Sequence, residues 1–374
     1  MNKNKMISIG FVVLLFSTGI ISTVIPDKDF SERENRVLSQ IPKFSIDRLV
    51  NGDFITDVDE YINDQFVLRD FWVYLKGSTE VAIGKKENNN VYLGEEGYLF
   101  EKYDGINSQN VEKSLKGISN FAEKYGLKTS FALIPNSSEI YEEYLPSFIE
   151  MSQEDLFNYI LDNLDSSVEF INPTEELIKH KSEYIYYRTD HHYTTLGAYY
   201  VYEMLGEVLG YTPYKISDFT VEKVANDFEG TYYSKANNYF LPKDEMYYFL
   251  PKEENQVKVY YDFKQSESDS LYNLDYLNKK DKYSSFLDNN HALIEIETSV
   301  KNGKSLLIFK DSYAHALIPF LTGHYENIVV VDLRYFNGSL NTIMSDYDFD
   351  KALFLYNANT FNSDVSINKL NYLK

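Results

Sequence analysis

Two short segments carry residue types and spacings suited to acyl transfer through a serine. The first is Asp190-His191-His192-Tyr193-Thr194 and the second is Lys310-Asp311-Ser312-Tyr313. A carboxylate on the Nδ1 of a histidine fixes its tautomer and leaves Nε2 as a base. A serine within reach of that nitrogen becomes a nucleophile. The stretch 184–187 reads as strand-like, and a helix is expected from Thr194 or Thr195, both good N-caps. In an extended segment, residues i and i+2 share a side. This pairs Asp190 with His192 and turns His191 the other way.

The serine follows an apolar strand expected at 305–309. Ala314, Leu317, Ile318 and Leu321 then keep the i, i+3, i+4, i+7 spacing of a helix face, with Pro319 as a kink. A strand-to-helix turn places Ser312 at the C-terminal edge of the sheet, where open α/β sheets hold their sites. Free backbone N–H groups there suit an oxyanion. The plain alternatives are an N-cap serine and a solvated cluster of titratable groups. His315, one turn on, is a rival base. Arg188 is a candidate to orient Asp190 or to bind substrate. Tyr313 beside the serine, and Asn136 and Asn357 at strand ends, are substrate or oxyanion candidates, as is Asn359 near Asn357. Loop asparagine is more often a turn residue. Arg334 is expected only to pair with a carboxylate. Asp and His also ligate metals, but the further carboxylate motifs of an Asp-His-His phosphoesterase site are missing, so no metal is expected.

The elements that must position these groups alternate. Helices are expected over 58–71, 111–125, 154–164 and 195–209, with another led by Pro173. Strands are expected over 129–134, 168–171, 305–309, 328–333 and 352–356. A hairpin is expected from the two apolar runs within 91–100. Alternation of this kind predicts a three-layer α/β sheet with helices on both faces. Residues 215–290 break the pattern and read as a Tyr- and Asn-rich insertion or lid. The expected organisation is a membrane anchor at 1–26, a helical and hairpin region at 27–104, and a catalytic domain at 105–374.

Lys3 and Lys5 precede an uncharged apolar run, residues 6–25, that ends at Pro26. Its length matches the ~20 residues needed to span a bilayer core. The basic residues place the N-terminus inside and the rest outside. A cleaved signal peptide is the alternative, and without a good A-x-A site before Pro26 an uncleaved anchor is favoured. Either way the body is exported. Net charge is −21, which repels nucleic acid. Cysteine is absent, which excludes disulfides, a thiolate nucleophile, Cys-ligated metal and a lipidated cysteine. The 34 tyrosines offer rings that stack on sugars, although low-GC composition and ordinary core packing also account for many of them.

Residues 188–194, followed by Gly197, resemble the motif of the DHHW proteins of Gram-positive bacteria. The likeness extends to residues 30–36, 91–100, Pro135-Asn136, 309–313 and 332–335. Tyr193 stands where the family's Trp is expected. The DHHW proteins are in turn similar to the SGNH-hydrolase-like alginate O-acetyltransferases, in which an Asp-x-His pair precedes the serine. The resemblance therefore implies an SGNH-hydrolase-like sheet with Asp190, His192 and Ser312 as catalytic residues. It also implies an O-acetyltransferase acting on a cell-surface or secreted polysaccharide. Such a protein holds no cofactor and takes acetyl from a membrane-bound O-acyltransferase partner. The rival expectations are an acetylesterase with the same triad, and a non-catalytic glycan-binding or envelope assembly protein.

Overall fold

The computed structural model describes residues 3–31, 33–34, 36–237, 241–253 and 255–373. Glu32 and Asn35 of the 30–36 segment, and residues 238–240 and 254 of the 215–290 segment, lie outside them. The chain divides into two compact units. One comprises residues 1–89 and 233–241, the other residues 90–232 and 242–374. The strand pair Val91–Leu93 and Leu99–Glu101 therefore belongs to the larger unit.

In the larger unit, an eight-stranded sheet runs in the order Ser266–Ser268, Val257–Tyr261, Leu293–Thr298, Asn327–Val331, Ser305–Lys310, Lys351–Asn357, Thr129–Ile134, Val168–Ile171. The last five of these are mutually parallel, and the first three extend them as an antiparallel edge. Strand side chains alternate between the two faces. Leu306, Ile308, Val330, Leu353 and Ile134 face one core with the Thr195–Leu209 helix. Leu307, Phe309, Val331, Phe354 and Phe131 face the other with the Ser108–Tyr125 and Glu154–Asn163 helices. This is the α/β sheet with helices on both faces that the alternation predicts.

Three local expectations change. The 215–290 segment is not only an appendage. It contains an antiparallel ribbon, Phe219–Phe228 with Asp244–Pro251, and two of the edge strands of the main sheet. The helix expected at 312–321 is a 3-10 turn, Ser312–Ala316, followed by a short helix, Ile318–Leu321, with Pro319 in its first turn. The helix expected at 58–71 is instead two. Asp53–Gln65 ends with Phe66 extended, and Leu68 at φ 56° precedes Arg69–Ala82.

In the smaller unit, Lys3–Val24 is one helix with no buried residue. It is long and apolar enough to cross a membrane by length and composition, as a signal-anchor would be. The Asp53–Gln65 helix is tied to the preceding chain by the buried Asp64. Its carboxylate receives both terminal nitrogens of Arg36 at 2.8 and 2.5 Å and the Ser39 N–H at 2.8 Å.

Candidate active site

Ser312 stands where a central parallel strand stops. The strand Ser305–Lys310 ends, and Asp311 caps the 3-10 turn by accepting the Tyr313 N–H at 2.9 Å. The other Asp311 oxygen accepts the Asn357 N–H at 2.8 Å, which fixes the turn to the end of the neighbouring strand. Burial raises the Asp311 carboxyl above its ordinary value against the pull of nearby Arg334. Ser312 itself remains partly exposed.

Ser312 Oγ lies 2.8 Å from His192 Nε2, and His192 Nδ1 lies 2.6 Å from Asp190 Oδ2. Asp190 and His192 are buried at 2% and 4% exposure, so both interactions are screened little by water. Asp190 Oδ1 accepts the Thr231 N–H at 2.7 Å. Burial opposes ionisation of Asp190, but the facing His191 and His192 outweigh it and hold the carboxyl well below its usual range. Burial, with the charge of His191, pushes His192 down to about 4, so at neutral pH it is an unprotonated base. The Tyr283 ring stacks on the His192 ring, with centroids 3.6 Å apart and planes 10° apart. Its hydroxyl donates to Ser312 O at 3.1 Å.

The Asp190–His192 pair comes together by a different route from the one expected. The segment is a bend rather than a strand, with one isolated bridge between Tyr186 and Tyr193. The bend closes around the fully buried Asp244. That carboxylate accepts from Arg188 N at 2.9 Å, Thr189 N at 2.8 Å, Thr189 Oγ1 at 2.6 Å and the Tyr184 hydroxyl. Gly230 is required beside it, because a Cβ there would stand 2.2 Å from Asp190 Cβ. His191 does not turn away. Its Nδ1 is 3.5 Å from Asp190 Oδ1 and its ring centroid is 3.8 Å from that of His192. Although burial disfavours its charge, Asp190 holds the His191 imidazole above its ordinary value.

Asp190, His191 and His192 offer three donor atoms within 4.8 Å of one another. Both His192 nitrogens are already hydrogen-bonded, so a metal ion would have to break the contact to Asp190 or to Ser312. The donor set therefore suits a proton relay better than coordination.

Comparisons with known proteins identify the family and the fold. The DHHW protein family model matches residues 118–331. This chain belongs to the DHHW family. A DHHW family protein from Eubacterium siraeum shares the fold with TM-score 0.65 and 26% identity, over 76% of this chain and 96% of its own. PatB1 of Bacillus cereus, solved with a sulfonyl adduct, has TM-score 0.61 and 20% identity, over 74% of this chain and 97% of its own. The O-acetyltransferase domain of Pseudomonas putida AlgJ has TM-score 0.48 and 15% identity, over 76% of this chain and 99% of its own. No curated protein sequence matches the chain.

In this DHHW chain Tyr193 donates its hydroxyl to Tyr313 O at 2.7 Å, and the Tyr313 hydroxyl donates to His191 O. The two motifs thus brace each other. The other candidates fall elsewhere. The Arg188 guanidinium lies over the rings of Tyr98 and Tyr184, at 5.3 and 4.9 Å, and makes no hydrogen bond to Asp190. The Asn357 side chain caps the next helix, accepting from Asn359 N and Thr360 N, so it is a turn residue rather than an oxyanion donor. Asn136 is buried in a network with Gln153, Asn359 and the Tyr232 hydroxyl. The Tyr313 N–H is held by Asp311, which leaves the Ser312 N–H as the backbone donor beside Oγ among the described residues. His315 is no rival base. Its Nε2 receives Lys310 Nζ at 2.7 Å, and burial with that charge holds it well below its ordinary value. Arg334 does pair with a carboxylate, meeting Asp332 at 2.9 and 2.6 Å, while Lys310 reaches the same group at 3.0 Å.

Asp244, Gly230, Thr231 and Tyr283 were not readable as site residues. Each lies 27 or more residues from the motif it serves, and none carries a spacing signal of its own.

Proposed function

We propose that this DHHW chain is an extracytoplasmic O-acetyltransferase that moves acetyl groups onto a cell-surface or secreted polysaccharide. The observation that carries the reading is the continuous relay from Asp190 through His192 to a partly exposed Ser312. In the first half-reaction, Ser312 Oγ attacks the acetyl carbonyl of the donor while His192 Nε2 takes the hydroxyl proton. The donor's leaving group departs with that proton, leaving acetyl-Ser312. In the second, a sugar hydroxyl attacks the acetyl carbon and gives its proton to His192. Ser312 then leaves and recovers that proton. Asp190 holds the imidazole in the tautomer that both steps need. The Ser312 N–H is placed to bind the oxyanion. The Lys3–Val24 helix tethers the enzyme, and a membrane-bound O-acyltransferase partner supplies the acetyl donor.

The test uses the full chain in detergent with a chromogenic acetyl ester, with and without an oligosaccharide acceptor. Ester cleavage that disappears in Ser312→Ala, with acetyl recovered on the sugar by mass spectrometry, is the expected result. Cleavage with no sugar labelling identifies an acetylesterase instead. Lack of cleavage, together with no covalent modification of Ser312 by a sulfonyl fluoride, overturns the relay reading.

A further inference from the structure

The smaller unit leaves an apolar stripe on its surface. Phe71, Trp72 and Leu75 share one face of the Arg69–Ala82 helix, Leu68 immediately precedes it, and the four are 41–68% exposed. The opposite side of the Arg69–Ala82 helix is the one that packs. Gly77 is buried there, and a Cβ on it would stand 2.5 Å from Asn237 O. Contiguous exposed apolar surface of this kind marks a contact with something other than water. The charges beside the stripe are already matched, since Arg69 meets Glu34 at 2.8 Å and Lys28 lies 4.0 Å from Asp70.

The position of the stripe says what covers it. The Val67 N–H donates to Ser22 Oγ at 3.0 Å, and Ser22 lies in the last turn of the Lys3–Val24 helix. Ile25, Phe66, Leu68 and Phe71 line one groove of about 740 Å³ together with Lys28, Arg69 and Asp70, so a mixed apolar and charged surface runs on from the end of that helix into the stripe. If residues 3–24 cross a bilayer, their C-terminal end lies at its outer boundary, and the stripe lies beside it at the same depth. Aromatic rings are favoured at that depth, where an apolar body and a polar edge are both accommodated.

We propose that the corner between the Asp53–Gln65 and Arg69–Ala82 helices rests in the interfacial zone of the outer leaflet, with Phe71 and Trp72 at headgroup level. The partner is the bilayer surface itself, as for an interfacial amphipathic helix. This rests on the reading of residues 3–24 as a membrane span.

Trp72 is the chain's only tryptophan, so its fluorescence reports this site alone. The full chain is reconstituted in phosphatidylcholine–phosphatidylglycerol vesicles and floated after alkaline carbonate. Failure to float overturns the span, and the interface with it. For chains that float, Trp72 emission is measured with aqueous acrylamide and with lipids carrying a nitroxide near the headgroup. The expected result is strong quenching by the nitroxide and weak quenching by acrylamide. In a Leu68→Glu/Leu75→Glu variant, emission shifts to longer wavelength and lipid quenching is lost, while flotation persists. Strong acrylamide quenching without lipid quenching overturns the proposal. Shielding from both quenchers also overturns it, and points to a protein partner or a second copy on this face.

Discussion

The two halves of the relay are held in opposite ways. The nucleophile turn is built largely from its own neighbourhood. A buried strand ends, Asp311 caps the next turn, and one bond to Asn357 joins it to the adjacent parallel strand. The acid–base bend has no regular structure to rest on. Its backbone donors converge on Asp244, and its Asp190 carboxylate is pinned by Gly230 and the Thr231 N–H. The serine's position follows from the sheet, whereas the support of the base is borrowed from chain 40 to 56 residues away. A serine at a strand end is easy to place, but a poised histidine needs a surround that satisfies every polar group around it.

Mutations that strike one half and spare the other sharpen this contrast. The largest effect is expected at the hinge of the relay. Asp190→Asn reverses the hydrogen bond that sets the His192 tautomer, and acetyl-ester turnover should fall by about 10⁴-fold with little change in KM. Asp244→Ala comes next. It leaves the Arg188 N–H, the Thr189 N–H and the Thr189 hydroxyl proton without their acceptor, which costs about 3 kcal/mol or more in denaturant unfolding and most of the activity. Asp311→Ala removes two backbone partners instead, at a cost of about 1–3 kcal/mol. Equal losses in these two variants would erase the distinction between a local and a borrowed half. Tyr283→Phe keeps the ring over His192 and loses the hydroxyl's bonds to Ser312 O and, at 3.5 Å, to Tyr313 O, so about a tenfold fall in kcat is expected. Tyr283→Leu loses both and should fall further.

The smallest effect is a shift in the pH profile. In the proposed mechanism His192 works unprotonated, so kcat/KM should be flat near neutrality and fall as pH drops through about 4. The charge on His191 helps to hold that value down. His191→Gln removes it, and the acid limb should move to higher pH. A limb that stays in place would show that burial alone sets the His192 value.

Much of this was legible in the sequence. Residues 306–309 are continuously apolar, as a strand covered on both faces must be, and the residues that follow place Ser312 at the sheet's edge. Thr194 caps its helix through the Gly197 N–H, as its type and position predict. The pairing of Asp190 with His192 was legible too, but the strand geometry that suggested it is not what the chain adopts. A buried carboxylate made a bend cheaper than a strand by accepting the donors that a ladder would have used. That also explains His191, which a strand would have sent the other way. The edge strands at 257–261 and 266–268 were hidden because they are short, and the second is polar throughout.

The hydroxyl that Tyr193 gives to Tyr313 O bears on which side chains the motif will accept at that place. What the position demands is one proton to share at the end of a flat, apolar body. Tryptophan carries such a proton on its indole nitrogen, and tyrosine carries one on its phenol. The two are therefore interchangeable currencies at this site, although they differ in outline. Phenylalanine, the nearest look-alike in shape, is the one that would leave the Tyr313 carbonyl to the longer 3.5 Å bond from the Tyr283 hydroxyl.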